Sequence, residues 1–317
     1  MRLCIKTCVP RLEEAAEWGD WHMAQALKRA LEKLGHGAMV QIMPEWYDKR
    51  DGDCDAVIQL RGLDRYRTSS RHVNVMWNIS HPEKVGTREY EGYDLVFIAS
   101  DLHAEVVRKR VKTEVAPLLQ CTDPGVFYPS FRPEHQTELL FVGNSRKVFR
   151  KIIKDLLPTD LRLDIWGTRW EPFVDKKYIR GAHYPNESLR ELYSSCGILL
   201  NDHWDDMREN GFISNRIFDA LACSAFVISD GVAGLESVLP GAVVTYSGPK
   251  ELKERISYYL DRVDERKAFA SRGHDLVLKY HTFDERVRTI VAGVERAMGS
   301  KDKRKDKTFF KRLLPRR

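Results

Sequence analysis

The feature that most constrains this chain is a strand–helix alternation that runs, stops at a proline-rich stretch and starts again. Strand-sized apolar runs occur at 2–6, 38–43, 56–60, 73–78 and 95–99. Between the first two, Met23, Leu27, Ala30, Leu31 and Leu34 recur at helical spacing, and Gly35-His36-Gly37 stops that helix. A further helix is predicted at 102–110. Residues 115–135 then carry Pro124, Pro129 and Pro133, which read as a linker. The alternation resumes with strands at 139–142, 161–166, 197–200 and 226–228 and helices at 148–157, 188–194, 249–261, 264–279 and 283–298. Strands alternating with helices predict parallel sheets covered on both faces, so two Rossmann-like α/β halves are expected.

Length agrees with this, since 317 residues can bury two full cores. With 43% apolar and 31% charged residues the composition is that of a soluble globular protein. No apolar run approaches the ~20 residues that span a bilayer, and the start, MRLCIKTCVPRLEEAAEW, is too polar for a signal peptide. The six cysteines show no metal-ligand spacing and read as reduced packing residues of a cytoplasmic protein. Residues 301–317 carry a net +7 against +6 for the whole chain, so the remainder is near neutral and does not suggest nucleic-acid binding. Interleaved with Phe309, Phe310, Leu313 and Leu314, those cations fit peripheral docking to the inner face of the cytoplasmic membrane or a solvated tail.

The richest stretch is WDDMRENGFISNRIFDALACSAFVISDGVAGL, 204–235. It reads as loop, helix, buried strand and loop. A helix start offers unpaired N–H groups and a partial positive charge to a phosphate. Arg216 adds a forked donor for phosphate oxygens, and Asp219 is an acceptor for sugar hydroxyls.

This stretch resembles the carboxylate motif of retaining GT-B glycosyltransferases, the family 4 and group 1 type. Asp219-Ala220-Leu221-Ala222 matches the motif's second half, and Asn215-Arg216-x-Phe218-Asp219-Ala220-x-Ala222-Cys223 is similar to the spore-maturation-protein-like branch. Asp219 stands for the usual second Glu, and Gly211 occupies the position of the first. Cys121-Thr122-Asp123 and Phe127-Tyr128-Pro129 resemble the family's interdomain segment. The resemblance implies a GT-B fold: two Rossmann-like domains with parallel sheets facing an interdomain cleft. It divides the chain into an acceptor-side domain at 1–114, a linker at 115–135 and a nucleotide-sugar-binding domain at 136–282. A helix at 283–298 would return to the first domain, ahead of a basic tail at 299–317.

It also implies site residues. His81, at a strand end, would face the donor sugar; otherwise it caps the turn before Pro82. Gly19 would lie at the donor diphosphate, with Asp20 beside it or serving as a helix cap. In the loop Gly143-Asn144-Ser145-Arg146-Lys147, Arg146 and then Lys147 would stabilise the diphosphate leaving group, while Arg150 and Lys151 fall on the next helix, exposed to solvent. Ser214, Asn215, Arg216 and Asp219 would complete the donor site, Arg216 on phosphate and Asp219 on ribose. His203, His274 and His281 read as structural or exposed, and Asp205-Asp206 as too weak a signal for a metal.

The function implied is sugar transfer from a nucleotide diphosphate donor to a carbohydrate or lipid-linked acceptor hydroxyl. It would be retaining, without metal or cofactor, in cell-surface polysaccharide or glycoconjugate assembly. A nucleotide-sugar 2-epimerase and a non-catalytic GT-B-shaped binding protein are the alternatives; the first would need further carboxylates for acid–base chemistry.

Overall fold

The computed structural model describes the backbone of residues 1–313 and the side chains of residues 1–301. The chain forms two compact units, one of Met1–Leu118 with the segment that begins at Phe283, the other of Leu119–Thr282.

The first unit contains β1 (Arg2–Lys6), α1 (Gly19–Lys33), β2 (Gly37–Gln41), β3 (Ala56–Arg61), β4 (Val73–Asn78), α2 (Thr87–Tyr90), β5 (Leu95–Ile98), α3 (Asp101–Arg108) and β6 (Glu114–Pro117). Its sheet order is β2-β1-β3-β4-β5-β6, and every pairing is parallel. All residues of β3 and β4 are buried, as expected of central strands covered on both faces. Order reverses between β1 and β3, because the chain goes outward to β2 and then returns. Such a reversal leaves a crevice at the carboxyl ends of the two strands, where α/β sheets bind ligands.

The second unit contains β7 (Thr137–Val142), α4 (Lys151–Leu156), β8 (Leu163–Trp166), β9 (Ile179–Gly181), α5 (Leu189–Ser195), β10 (Cys196–Asn201), α6 (Asp205–Glu209), α7 (Asn215–Ala222), β11 (Val227–Asp230), α8 (Leu235–Val238), β12 (Val243–Tyr246), α9 (Pro249–Leu260) and α10 (Val263–Tyr280). Its parallel sheet has the order β12-β11-β10-β7-β8-β9. The reversal here lies between β7 and β10. The segments that follow their ends are 143–150 and 202–214, which lead into α4 and α7.

The last helix, α11 (Phe283–Leu313), packs on α1, β4 and β5 of the first unit. It runs past Gly299, where the sequence suggested an end. One internal glycine costs only about 1 kcal/mol against Ala, and the Lys- and Arg-rich residues that follow are good helix formers. The membrane-docking reading of 301–317 rests on side chains outside the described residues. Strand β6 falls in what read as linker. Its Pro117 is tolerated because β6 is an edge strand, whose outward side needs no ladder N–H.

Candidate functional site at the second sheet reversal

The loop after β7 is held in an unusual shape. Arg146 and Lys147 both have positive φ, 57° and 66°, and the N–H of Val148 bonds the carbonyl of Ser145 at 3.1 Å. Two successive left-handed residues inside an i to i+3 turn are the type I′ pattern, which strongly favours Asn-Gly. Each non-glycine residue there costs about 1–2 kcal/mol. Buried Ser145 maintains the turn: its hydroxyl donates to the Arg169 carbonyl at 2.5 Å and accepts the Lys147 N–H at 3.2 Å. The side chains of Arg146 and Lys147 are exposed, so the strain displays two cations at a sheet reversal. The same turn delays the helix, which starts at Lys151 rather than at 148.

Two glycines let the neighbouring backbone approach. Gly167, at φ 142°, lies so close to Gly143 that a Cβ would stand 2.3 Å from the Gly143 carbonyl oxygen. A Cβ on Gly143 would meet Nη2 of Arg216 at 2.6 Å. Asn144 Oδ1 accepts the N–H of Thr168 at 2.8 Å, closing the loop onto β8's end.

Arg150 and Trp204 form the wall behind the turn. The sequence reading of Arg150 as solvated is corrected: it is 7% exposed and ion-paired to buried Asp202. Because α4 begins one residue later, the side chain turns inward, and it stacks 5.1 Å from the Trp204 ring centre. Arg146 stacks on the same ring at 5.5 Å.

Arg216 extends from α7 toward Gly143 and lies over the Phe141 ring at 5.2 Å. Its Nη1 donates to the neutral Oδ1 of Asn201 at 2.7 Å, and among the described residues it has no carboxylate partner. Burial draws its pKa downward, against the pull of Tyr193 and Asp202, with Arg150 and Arg146 adding to the lowering. A guanidinium stays charged in a protein. A partly buried cation beside further cations is therefore stabilised by an incoming anion.

A ring of hydrogen bonds returns from Arg216 to the start of α7. Asn201 Nδ2 donates to Ser229 Oγ at 2.9 Å, and Ser229 Oγ–H donates to Asp230 Oδ1 at 3.1 Å. Asp230 Oδ1 also faces His203 Nδ1 at 2.6 Å, and Oδ2 accepts the His203 backbone N–H at 3.1 Å. His203 Nε2 meets the backbone N–H of Ser214 at 2.9 Å. Sequence reasoning gave none of Asn201, Ser229, Asp230 or His203 a role at the site. Their signal was present: Asn201 and Ser229 follow directly on the buried apolar runs 197–200 and 226–228, at the carboxyl ends of parallel strands, and His203 and Asp230 lie within two residues of Asn201 and Ser229.

Asp219, expected on ribose, is held by neighbouring side chains. It is 9% exposed, and its two oxygens accept from Thr122 Oγ1 and Asn215 Nδ2, each at 2.7 Å. Burial pushes its pKa up to about 8 against the pull of both donors. The helix periodicity that lined it up with Asn215 also turned it into the unit's interior. Asn215 Oδ1 is left buried without a partner. Gly211 has a backbone reason for replacing a carboxylate. At φ 73° it ends α6, with its N–H bonded to the Arg208 carbonyl and the next N–H, of Phe212, to that of Met207. That is a Schellman stop, which glycine fits best.

In the first unit, Gly19 opens α1, exposed and with open space where a Cβ would be. Asp20 is not the cap, a place held by Trp18. Its carboxylate instead lies against Gly62 at the β1–β3 reversal, with Ser80 alongside. His81 adopts a left-handed conformation, φ 50°, and its side chain makes no capping bond to the following turn. Buried Arg61, paired with Glu89 at 2.7 Å, holds that turn by donating to the Lys84 carbonyl at 3.1 Å.

Two parallel α/β units with ligand-competent sheet reversals define the GT-B class of fold. Residues 145–292 match the family described as glycosyl transferase-like. The spore protein CgeB of Bacillus subtilis is 24% identical over 168 residues, 48% of this chain and 52% of that protein; the chain thus spans about half of the curated relative it matches. The structure of sucrose-phosphate synthase from Thermosynechococcus elongatus is similar, with a TM-score of 0.73 and 12% identity over 95% of this chain and 100% of that one. Anabaena HepE in complex with UDP and glucose gives a TM-score of 0.61 and 11% identity, covering 93% of this chain and 99% of the other. The fold is thus GT-B; residues 145–292 are similar to the glycosyl transferase-like family, and 168 residues of the chain to CgeB.

Proposed function

We propose that the protein is a glycosyltransferase whose second unit binds a nucleoside diphosphate sugar at the β7–β10 reversal. The observation that carries this is Arg216, a partly buried guanidinium with no carboxylate partner among the described residues, pointed at the glycine loop that displays Arg146 and Lys147. Helix geometry leaves the N–H groups of Asn215 and Arg216 without intrahelical acceptors, and they and the guanidinium would hold the diphosphate. Arg146 and Lys147 would take up the charge that grows on the leaving group, a role in which fixed cations supply several kcal/mol. With that charge met by side chains, the reaction as we read it needs no metal.

Asp219 is assigned to orienting Asn215 rather than to touching ribose. Gly19 and His81 are assigned to the sugar and acceptor side, and Asn144, Ser145 and Ser214 to shaping the two loops. Retention at the anomeric carbon rests on the motif around Asp219, and an acceptor in cell-surface polysaccharide on the same resemblance. No helix among the described residues is long and apolar enough to cross a membrane; docking of the 301–317 tail to anionic lipid is tested by liposome flotation against a 1–298 truncation.

Calorimetric titration with UDP, GDP, TDP and ADP tests the donor site directly. Tight binding of one of them, weakened about tenfold or more in Arg216→Met, is expected, since a hydrogen bond to a charged group is worth about 1.5–3 kcal/mol. Release of nucleotide from the matching nucleotide sugar only when acceptor is present separates transfer from epimerisation and from mere binding.

A further inference from the structure

We infer that Asp230 and His203 are positioning residues that fix the phosphate-binding start of α7, an inference that rests on the donor reading just given. The polarity of the ring decides the protonation of His203. A backbone N–H can only donate, so the Ser214 contact makes Nε2 an acceptor. A carboxylate can only accept, so Asp230 makes Nδ1 the protonated nitrogen. One neutral tautomer satisfies both ends, and Asp230, 3% exposed, selects it.

Two consequences follow for the ligand. The Ser214 N–H is consumed by His203 and the Ile217 N–H by the Ser214 carbonyl at 3.0 Å, so the pair offered to a phosphate is that of Asn215 and Arg216. From the other arm of the ring, Ser229 orients Asn201, and Asn201 aims the Arg216 guanidinium. Asp230 thus sets both the backbone donors and the side-chain donor of one helix turn. It does so from β11, without touching the ligand. The arrangement is not a nucleophilic triad, because His203 takes the main-chain N–H of Ser214 and not its hydroxyl.

The test compares wild type with Asp230→Asn, His203→Phe and His203→Gln. Inorganic pyrophosphate serves as a probe indifferent to the base, with UDP beside it, both followed by calorimetry. Asp230→Asn presents a donor where the ring needs an acceptor, and His203→Phe keeps bulk but removes both contacts. Each is expected to weaken pyrophosphate and UDP about tenfold or more, a loss on the scale of one or two charge-assisted hydrogen bonds. His203→Gln, which offers an N–H to Asp230 and an oxygen to Ser214, is expected to bind within about threefold of wild type. Nitrogen-15 spectra of the imidazole provide the readout that packing alone would not move: Nδ1 protonated and Nε2 bare in wild type, inverted or averaged in Asp230→Asn.

A wild type that binds neither probe overturns the donor reading and this role with it. A wild type that binds, with Asp230→Asn and His203→Phe binding equally well, overturns the relay alone. So does a spectrum with the proton on Nε2, or a Gln variant as impaired as the Phe one.

Discussion

Thr122 Oγ1 donates to Oδ1 of Asp219 across 2.7 Å, joining the segment that opens the second unit to the helix at its candidate site. The same threonine is held on its other side, where its N–H donates to the His281 carbonyl at 2.9 Å and it forms a parallel bridge with Thr282. A carboxyl group so enclosed is costly to ionise, and stability reports that cost.

Asp219 should make the protein less stable as pH rises. Its pKa of about 8 in the folded chain lies above its ordinary value of 3.8, so between those limits the folded state holds more protons than the unfolded one. Stability from this group is present below pH about 4, falls through the window up to about 8 and is level above it. Thermal denaturation from pH 5 to 9 should show a decline that is flatter in Asp219→Asn; equal slopes in the two proteins would refute the assignment.

Arg216 should separate binding from stability. Removing a cation that has lost solvent without gaining a carboxylate leaves no buried charge behind. Arg216→Met should melt at or above the wild-type temperature while losing nucleotide affinity. A variant that loses both together would point to a structural role.

Lys147 carries strain that glycine relieves. At φ 66° its left-handed backbone costs about 1–2 kcal/mol, so Lys147→Gly should raise the melting temperature by roughly 2–8 °C for a unit of this size. Transfer should slow about a hundredfold if the cation meets the leaving group, the scale of a lost transition-state donor. Unchanged turnover would remove Lys147 from the chemistry.

Gly167 should tolerate no side chain. Gly167→Ala would set a methyl carbon 2.3 Å from the Gly143 carbonyl, with no flexible group to yield. A loss of about 3 kcal/mol or more is expected in denaturant titration; a wild-type midpoint would mean that the two loops are not packed as described.

Much of this architecture was readable from the residues in order. Runs such as Val73–Asn78 and Cys196–Asn201 are apolar because central parallel strands are covered on both faces, so the alternation and the fold class follow from local pattern. The motif of the candidate site was equally local, since Ser214 to Asp219 all sit within two turns of one helix start.

Elements with weak local signals were misread. The three-residue β9 is too short to show periodicity, and Pro117 disguised β6 as linker because edge position, which permits proline, is a property of the assembled sheet. Arg150 looked like a surface cation; which way it faces depended on where its helix begins and what lies over it. The sequence by itself determined the two parallel sheets and the stretches that end at their reversals, because periodicity and turn chemistry act over a few residues. Only the tertiary structure brought Asp230 and Asn201 to α7 and left Arg216 without a carboxylate, because hydrogen-bond partners 15 to 30 residues apart are chosen by strand order rather than by neighbours in the chain.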